Sequence, residues 1–91
     1  MDLVILDAAQ KELRVLSDDL RARILDALLE ASRHVGDPHA HHGIGMRKLA
    51  KEYWELRAGT GMRAVIRLAP GRLVVLRIGN HDEVQRFLKT L

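Results

Sequence analysis

The chain has 91 residues, which predicts a single domain over residues 1–91 with one small core. Hydrophobic residues make up 47% of the chain but aromatic residues only 3%, so we expect an aliphatic core. The absence of cysteine excludes a disulfide framework and thiolate chemistry. The start MDLVILDAAQ carries acids where a signal peptide carries bases, and no apolar run approaches the ~20 residues of a membrane span. We therefore expect a cytoplasmic protein.

Charge is distributed unevenly along the chain, although the net charge is only +3. Residues 1–30 hold seven acids against four bases, whereas residues 47–77 hold eight bases against two acids. The positive field therefore belongs to the second half of the chain, where RNA or an acidic partner would be attracted.

The first third of the chain predicts a strand followed by two helices. Residues 2–7 form a short apolar run typical of a strand, and residues 8–16 show helical spacing. Ser17 is a candidate N-cap, because two acids follow it in what would be the first helical turn. A tight turn there predicts an αα-hairpin. The second helix carries one apolar stripe, formed by Leu20, Ile24, Leu25, Leu28 and Leu29.

Residues 36–45, GDPHAHHGIG, predict a loop because they hold three glycines and a proline. Three histidines lie in this loop, at His39, His41 and His42. Their spacing is local, and neither an acid nor a cysteine accompanies them at ligand spacing. A loop explains them better than a metal site, and we expect neither a metal nor another cofactor.

The second half of the chain predicts strands and a closing helix. Residues 46–58 indicate one or two strands, while 62–69 and 72–78 flank the turn signal Pro70-Gly71 and should form a hairpin. Residues 81–91 predict a short helix. The order β-α-α-β-β-β-α predicts an α+β fold in which the αα-hairpin packs on one face of an antiparallel sheet.

The register of the predicted hairpin decides where its arginines lie. A strict two-residue turn would pair Arg63 with Ile78 and would place Arg77 on the apolar face. One extra bulged residue at the turn would instead put Arg63, Arg67 and Arg77 on one face. Burying an unpaired arginine costs several kcal/mol, so we expect the bulge. On the preceding strand, Trp54 and Leu56 alternate with Tyr53 and Glu55, which favours Trp54 as a core residue.

Several segments resemble the RelE/ParE superfamily of bacterial toxins from toxin–antitoxin systems. An αα-hairpin is followed by MRKL, YWELR, a glycine turn, MRAVIRL and LVVLRIGNHDEV, in the order and spacing of that family. The resemblance covers nearly the whole chain. It implies the RelE-like fold and a toxin that is neutralised by a cognate antitoxin, with which it forms a hetero-oligomer.

Resemblance to the RelE branch of this family implies a ribosome-dependent mRNA endoribonuclease, or mRNA interferase, that inhibits translation. The reaction of this branch needs no metal. In that reaction the ribose 2′-hydroxyl attacks the adjacent phosphate, which requires an acid, a base and cations for the growing charge. The resemblance assigns Arg63 to the scissile phosphate. It assigns His81 to acid–base work, which suits histidine's ordinary pKa of ~6.5.

The remaining site residues also follow from the resemblance. Glu55 stands where the archetype has a lysine, and is either a base or the partner of a neighbouring arginine. The family's late tyrosine aligns with Gln85 or, more loosely, with Phe87. Tyr53 is a candidate for stacking on a base. The predicted RNA-binding residues are Arg47, Lys48, Lys51, Tyr53, Arg57 and Arg77.

Two alternative functions use the same fold. A ParE-like toxin would inhibit DNA gyrase as a binding module and would not need His81. A catalytically degenerate toxin would persist only as an antitoxin-binding subunit. Because a fold does not fix its chemistry, the choice of the nuclease rests partly on analogy.

Overall fold

The computed structural model describes residues 1–34, 45–50, 52–59 and 61–91. Its described elements are β1 (Asp2–Ile5), α1 (Asp7–Arg14), α2 (Asp18–His34), β2 (Met46–Ala50), β3 (Tyr53–Arg57), β4 (Met62–Ala69), β5 (Arg72–Asn80) and α3 (His81–Leu88). The predicted α+β class is therefore confirmed. The segment that was expected to hold one or two strands holds two, β2 and β3.

The five strands form one sheet in the order β1-β5-β4-β3-β2. Strands β2, β3, β4 and β5 pair with one another in antiparallel fashion, as predicted. Strand β1 differs, because it lies parallel to β5 and pairs Asp2 with Arg72 through Ile5 with Val75. The sheet is therefore mixed. The two helices between β1 and the rest of the sheet provide the long crossover that a parallel pair requires.

One face of the sheet forms the main core together with α1 and α2. This face is lined by the apolar residues that alternate along the strands, such as Leu56, Ala64 and Ile66, and these residues are fully buried. Trp54 packs against the same cluster, as predicted. The helices contribute Ala9, Leu13, Ile24, Leu28 and Ala31.

The buried stripe of α2 differs from the predicted stripe at one position. Ile24 and Leu28 are buried, and Leu25 packs against the core, but Leu29 remains 45% exposed. The fully buried position beyond Leu28 is Ala31, three residues further on, which continues the helical repeat. Leu29 therefore lies at the edge of the stripe and outside the core.

The β4–β5 hairpin contains the predicted extra residue, but in a different place. Pairing is regular from Ala69–Arg72 to Ile66–Val75, and the register then shifts so that Val65 lies opposite Arg77. The bulged residue is Leu76, in the middle of β5, and not at the turn. Strand β1 holds β5 in regular pairing only as far as Val75, so the irregularity falls where that constraint ends.

The predicted consequence of the bulge is nevertheless confirmed. Arg63 lies two positions from Val65 on β4, and Arg67 lies two positions from it in the other direction. Because opposite residues project to the same face, Arg77 shares the face of these two arginines. The apolar face is left free of charge in this hairpin, and the second face of the sheet becomes basic.

Helix α3 packs against β4 and β5 on this second face. Val84 is buried there, and the guanidinium of Arg77 lies 5.1 Å from the centroid of the Phe87 ring. Gly79 permits the close approach, because a Cβ atom at this position would lie 2.9 Å from the Cβ of Glu83. The start of α3 is thus held against the last residues of β5.

Side chains cap the starts of α2 and α3. Leu20 donates its backbone N–H to the Ser17 hydroxyl at 3.2 Å, which confirms the predicted N-cap of α2. Asn80 and Glu83 form a reciprocal capping box at the start of α3. No helix among the described residues is long and apolar enough to span a membrane.

Candidate functional site

The second face of the sheet carries three rows of side chains across the strands, which we call the arginine face. The first row is Arg57, Arg63 and Gly79; the second is Arg47, Glu55, Val65 and Arg77; the third is Ala50, Tyr53, Arg67 and Val74. Residues opposite one another on neighbouring strands project to the same side. Five arginines therefore share one face, and four of them belong to the predicted site.

Three of these arginines surround one carboxylate. Glu55 is fully buried, and its Oε1 atom accepts a hydrogen bond of 2.5 Å from Nη1 of Arg63. Its Oε2 atom lies 3.3 Å from Nη2 of Arg47, while Nε of Arg57 lies 4.0 Å from Oε1. Three guanidiniums against one carboxylate leave two positive charges in excess. We call these four residues the Glu55 cluster.

The arginines of the cluster differ in how far they reach solvent. The side chain of Arg63 is 19% exposed, whereas those of Arg47 and Arg57 are 54% and 57% exposed. A surface groove of about 260 Å³, lined by Gly45, Met46, Arg47 and Arg57, adjoins the cluster. An anion approaching from this side would meet the exposed guanidiniums.

His81 is the first residue of α3 and is exposed. Gly79 lies opposite Arg63, and Asn80 lies opposite Met62, so His81 comes two residues after the row that holds Arg57 and Arg63. The backbone N–H of Glu83 donates to Asn80 Oδ1 at 2.9 Å, and Glu83 Oε1 accepts the backbone N–H of Asn80 at 3.0 Å. This capping box fixes the backbone that carries His81.

Arg77 is committed to a partner in α1. Its Nη2 and Nε atoms donate to the carboxylate of Glu12 at 3.0 to 3.2 Å. That hydrogen bond raises the pKa of Arg77, with a further electrostatic contribution from Glu12. The same carboxylate accepts the backbone N–H of Ile78 at 2.9 Å. Arg77 therefore connects α1, β5 and α3, and it does not join the Glu55 cluster.

The other predicted RNA-binding residues are distributed between the two faces. Tyr53 lies on the arginine face, opposite Arg67 and Ala50. Lys48 lies opposite Trp54, and its Nζ atom is 6.0 Å from the centre of that ring. Since Trp54 packs on the helix side, Lys48 lies on the face away from the arginines. Lys51 and the loop histidines fall outside the described residues.

Two features of the site escaped the sequence analysis. The pairing of Glu12 with Arg77 joins positions 65 residues apart, and no local pattern indicates it. The capping box, in contrast, could have been predicted, because Asn80 followed three residues later by Glu83 is the signature of a helix start.

Among the described residues, every buried side-chain nitrogen and oxygen has a hydrogen-bond partner.

The chain is thus a small α+β protein with a mixed sheet, a helical hairpin on one face and a basic second face. A family model described as the ParE toxin of the type II toxin–antitoxin system parDE matches residues 3–85. The chain therefore belongs to this family, within the RelE/ParE superfamily, and it is a toxin of a toxin–antitoxin module.

Solved structures share the fold. The isolated RelE toxin of E. coli is 15% identical, with a TM-score of 0.69 over 99% of this chain and 98% of that one. In the intact E. coli RelBE toxin–antitoxin complex, a chain 18% identical aligns with a TM-score of 0.68 over 87% and 94%. A YoeB/ParE toxin from Agrobacterium tumefaciens is 26% identical, with a TM-score of 0.68 over 89% and 99%. A search of curated protein sequences gives no match.

Proposed function

We propose that this toxin is a ribosome-dependent mRNA endoribonuclease. The observation that carries the proposal is the Glu55 cluster, which holds three arginines on one sheet face. Two of them, Arg57 and Arg63, lie in the row of Gly79, two residues before His81. A cluster with an excess of two positive charges is suited to a phosphodiester backbone. The similarity of the fold to RelE supports the same function.

The proposed reaction needs no redox or metal step. The ribose 2′-hydroxyl loses its proton and attacks the adjacent phosphorus, and the bond from phosphorus to the 5′-oxygen breaks. The products are a 2′,3′-cyclic phosphate and a free 5′-hydroxyl, which takes up a proton. Arg63 would stabilise the charge that develops on the phosphorane oxygens. His81 would act as the acid or the base.

The remaining residues would hold the RNA. Arg47 and Arg57 are more than half exposed, so their free N–H groups can bind backbone phosphates. Tyr53 lies on the same face and would stack on a base. Arg77 would contribute by holding α3, and therefore His81, against β5.

We further propose a cognate antitoxin as partner. The basic face would attract an acidic, partly helical chain that wraps the sheet, and the two would form a hetero-oligomer. The structures of RelBE complexes, in which a related toxin fold is bound to its antitoxin, support this proposal.

The matching family model favours a second function, because it is named for a ParE toxin. In that case the toxin would act on DNA gyrase as a binding module, and the arginine face would bind a protein or DNA surface. His81 would then be dispensable, because no proton transfer is needed.

Cleavage of a defined mRNA on programmed ribosomes separates the two functions. Arg63→Ala and His81→Ala should each lose the cut in the A-site codon. Arg72→Ala, at the opposite end of the β4–β5 pair, and His34→Ala, on α2, are matched controls that should keep it. Growth arrest without cleavage, combined with inhibition of purified gyrase, would replace the nuclease by the second function.

A further inference from the structure

Glu55 is the one fully buried polar or charged side chain among the described residues. Burying a carboxylate costs several kcal/mol unless opposite charges compensate it. Here the compensation comes from guanidiniums on three strands: Arg47 on β2, Arg57 on β3 and Arg63 on β4. The sheet therefore builds a charged centre at a position where an apolar residue would cost less.

The buried carboxylate is poorly placed to be a general base. A base must come within hydrogen-bond reach of the proton that it removes. Both oxygens of Glu55 face arginines, and none of its side-chain surface reaches solvent. Substrate would have to displace Arg63 before its 2′-hydroxyl could reach the carboxylate.

The geometry suits a different task. A guanidinium has five N–H donors in a fixed plane, and Arg63 and Arg47 each hydrogen-bond Glu55 through one nitrogen. The bonds to Glu55 orient the two planes and leave their other donors free. Without the carboxylate, three guanidiniums on adjacent strands would repel one another and would turn away.

We infer that Glu55 is a positioning residue that assembles Arg47, Arg57 and Arg63 into a preformed binding site for a phosphodiester. The site would bind two oxygens of one phosphate, or two neighbouring phosphates, through the donors that Glu55 leaves free. The groove beside Arg47 and Arg57 would accommodate the adjoining nucleotide. The identity of the anion as RNA rests on the proposed nuclease function.

This inference makes a prediction opposite to that of simple electrostatics. Glu55→Gln keeps the shape of the side chain but removes a negative charge next to the site. If only net charge mattered, the variant would bind RNA more tightly. If Glu55 positions the arginines, the variant should bind about tenfold more weakly, because charge-assisted hydrogen bonds lose their geometry.

The experiment measures the affinity of a five-nucleotide RNA whose central 2′-hydroxyl is replaced by hydrogen, so that no cleavage at that position interferes. Fluorescence anisotropy would compare the wild type, Glu55→Gln and Glu52→Gln at several salt concentrations. Glu52 is an exposed carboxylate adjoining the same strand, so its substitution removes the same charge without touching the cluster. Glu52→Gln should leave the affinity for the RNA unchanged or raise it slightly.

A second pair of variants tests the same role at constant net charge, and the circular dichroism and thermal unfolding of every variant are compared with the wild type so that loss of folding is not read as loss of binding. Arg47→Gln alone leaves two cations and one anion in the cluster, and the double variant Arg47→Gln with Glu55→Gln leaves two cations and no anion. The double variant therefore has the excess of two charges found in the wild type. We expect it to bind more weakly than Arg47→Gln alone, despite its higher charge.

The outcomes separate this inference from the proposed function. The positioning role would be overturned if Glu55→Gln bound as tightly as the wild type or more tightly, and the double variant bound as tightly as Arg47→Gln or more tightly. A wild type that does not bind the RNA at low salt would overturn it as well. Weaker binding by both variants would support it, even if the wild type failed to cut mRNA on ribosomes. Binding is thus measured independently of catalysis.

Discussion

The carboxylate of Glu12 on α1 binds both the guanidinium of Arg77 and the backbone N–H of Ile78 on β5. Strand β1 pairs with β5 only as far as Val75, so the edge of β5 beyond that point has lost its strand partner. Glu12 replaces the missing strand there by accepting the backbone N–H of Ile78. The contact secures α1 to the edge of the sheet, and Arg77 in turn lies over Phe87 of α3.

Glu12→Ala should lower the free energy of unfolding by about 1 to 2 kcal/mol, since it leaves a backbone donor and a guanidinium without their partner. Urea denaturation of the wild type and the variant measures this loss. Glu30→Ala removes an exposed carboxylate that pairs with His34 on the same helix, and should cost less than about 0.5 kcal/mol. Equal losses in the two variants would contradict the role of Glu12.

The pairing itself can be tested by a double-mutant cycle. Glu12→Ala and Arg77→Ala should not add, and their coupling energy should be about 1 kcal/mol. Arg77→Ala should also loosen α3, because Phe87 loses the group that covers its ring. Additive effects would show that the two side chains act independently.

Arg21 should stabilise the helical hairpin more than its neighbours on α2 do. Its guanidinium donates to the backbone carbonyls of Leu13, Leu16 and Arg14 at 2.8 to 3.2 Å, which satisfies the end of α1. Arg21→Ala should therefore cost about 1 to 2 kcal/mol of unfolding free energy.

Arg23→Ala is the matched control for this substitution. Arg23 lies on the same helix but makes one exposed ion pair, with Asp19, which is worth less than about 1 kcal/mol. Thermal unfolding of both variants would compare them directly. A midpoint that falls equally in both would exclude a special role for Arg21.

Asn80 should matter both for stability and for the proposed reaction. Asn80→Ala removes the capping box and should cost about 1 kcal/mol of unfolding free energy, while Asn80→Asp should retain most of it. Because His81 follows directly, cleavage should fall more in Asn80→Ala than in Asn80→Asp. Equal cleavage by the two variants would indicate that His81 does not depend on its position at the helix start.

Gly79→Ala should displace α3 from the sheet. The added methyl group would lie 2.9 Å from the Cβ atom of Glu83, which is closer than two carbon atoms can approach. We expect a loss of about 1 to 3 kcal/mol, typical of an overpacked site. Hydrogen exchange should accelerate in α3 while the amides of α2 keep their protection. Uniform acceleration in both helices would argue against a local effect.

Local patterns predicted most of the fold but not its long-range contacts. The alternation of apolar and basic residues in β4 predicted which arginines share a face, because one face of a sheet must be apolar to form the core. The position of the bulge depends instead on where β1 ends. Strand β1 is separated from β5 in the chain by two helices and three strands, so no local signal could place the bulge at Leu76.

Three of the residues proposed for the site from the sequence lie together in the structure, but the sequence does not show how they meet. Arg63, Arg57 and Arg47 are brought together, but by Glu55, whose burial depends on partners from three strands. Lys48 was grouped with them because the resemblance places it near the basic patch of the family. Lys48 pairs opposite Trp54 and therefore lies on the other face of the sheet. Arg77 is paired with Glu12 on α1.

The most direct test of the proposed nuclease uses programmed ribosomes whose A-site codon carries a 2′-deoxy sugar at the cleaved position. We expect the wild-type toxin to cut the unmodified codon, leaving a 2′,3′-cyclic phosphate and a 5′-hydroxyl, and to leave the substituted codon intact. Cleavage of the substituted codon would contradict attack by the 2′-hydroxyl, and an uncut control codon would contradict the nuclease function altogether.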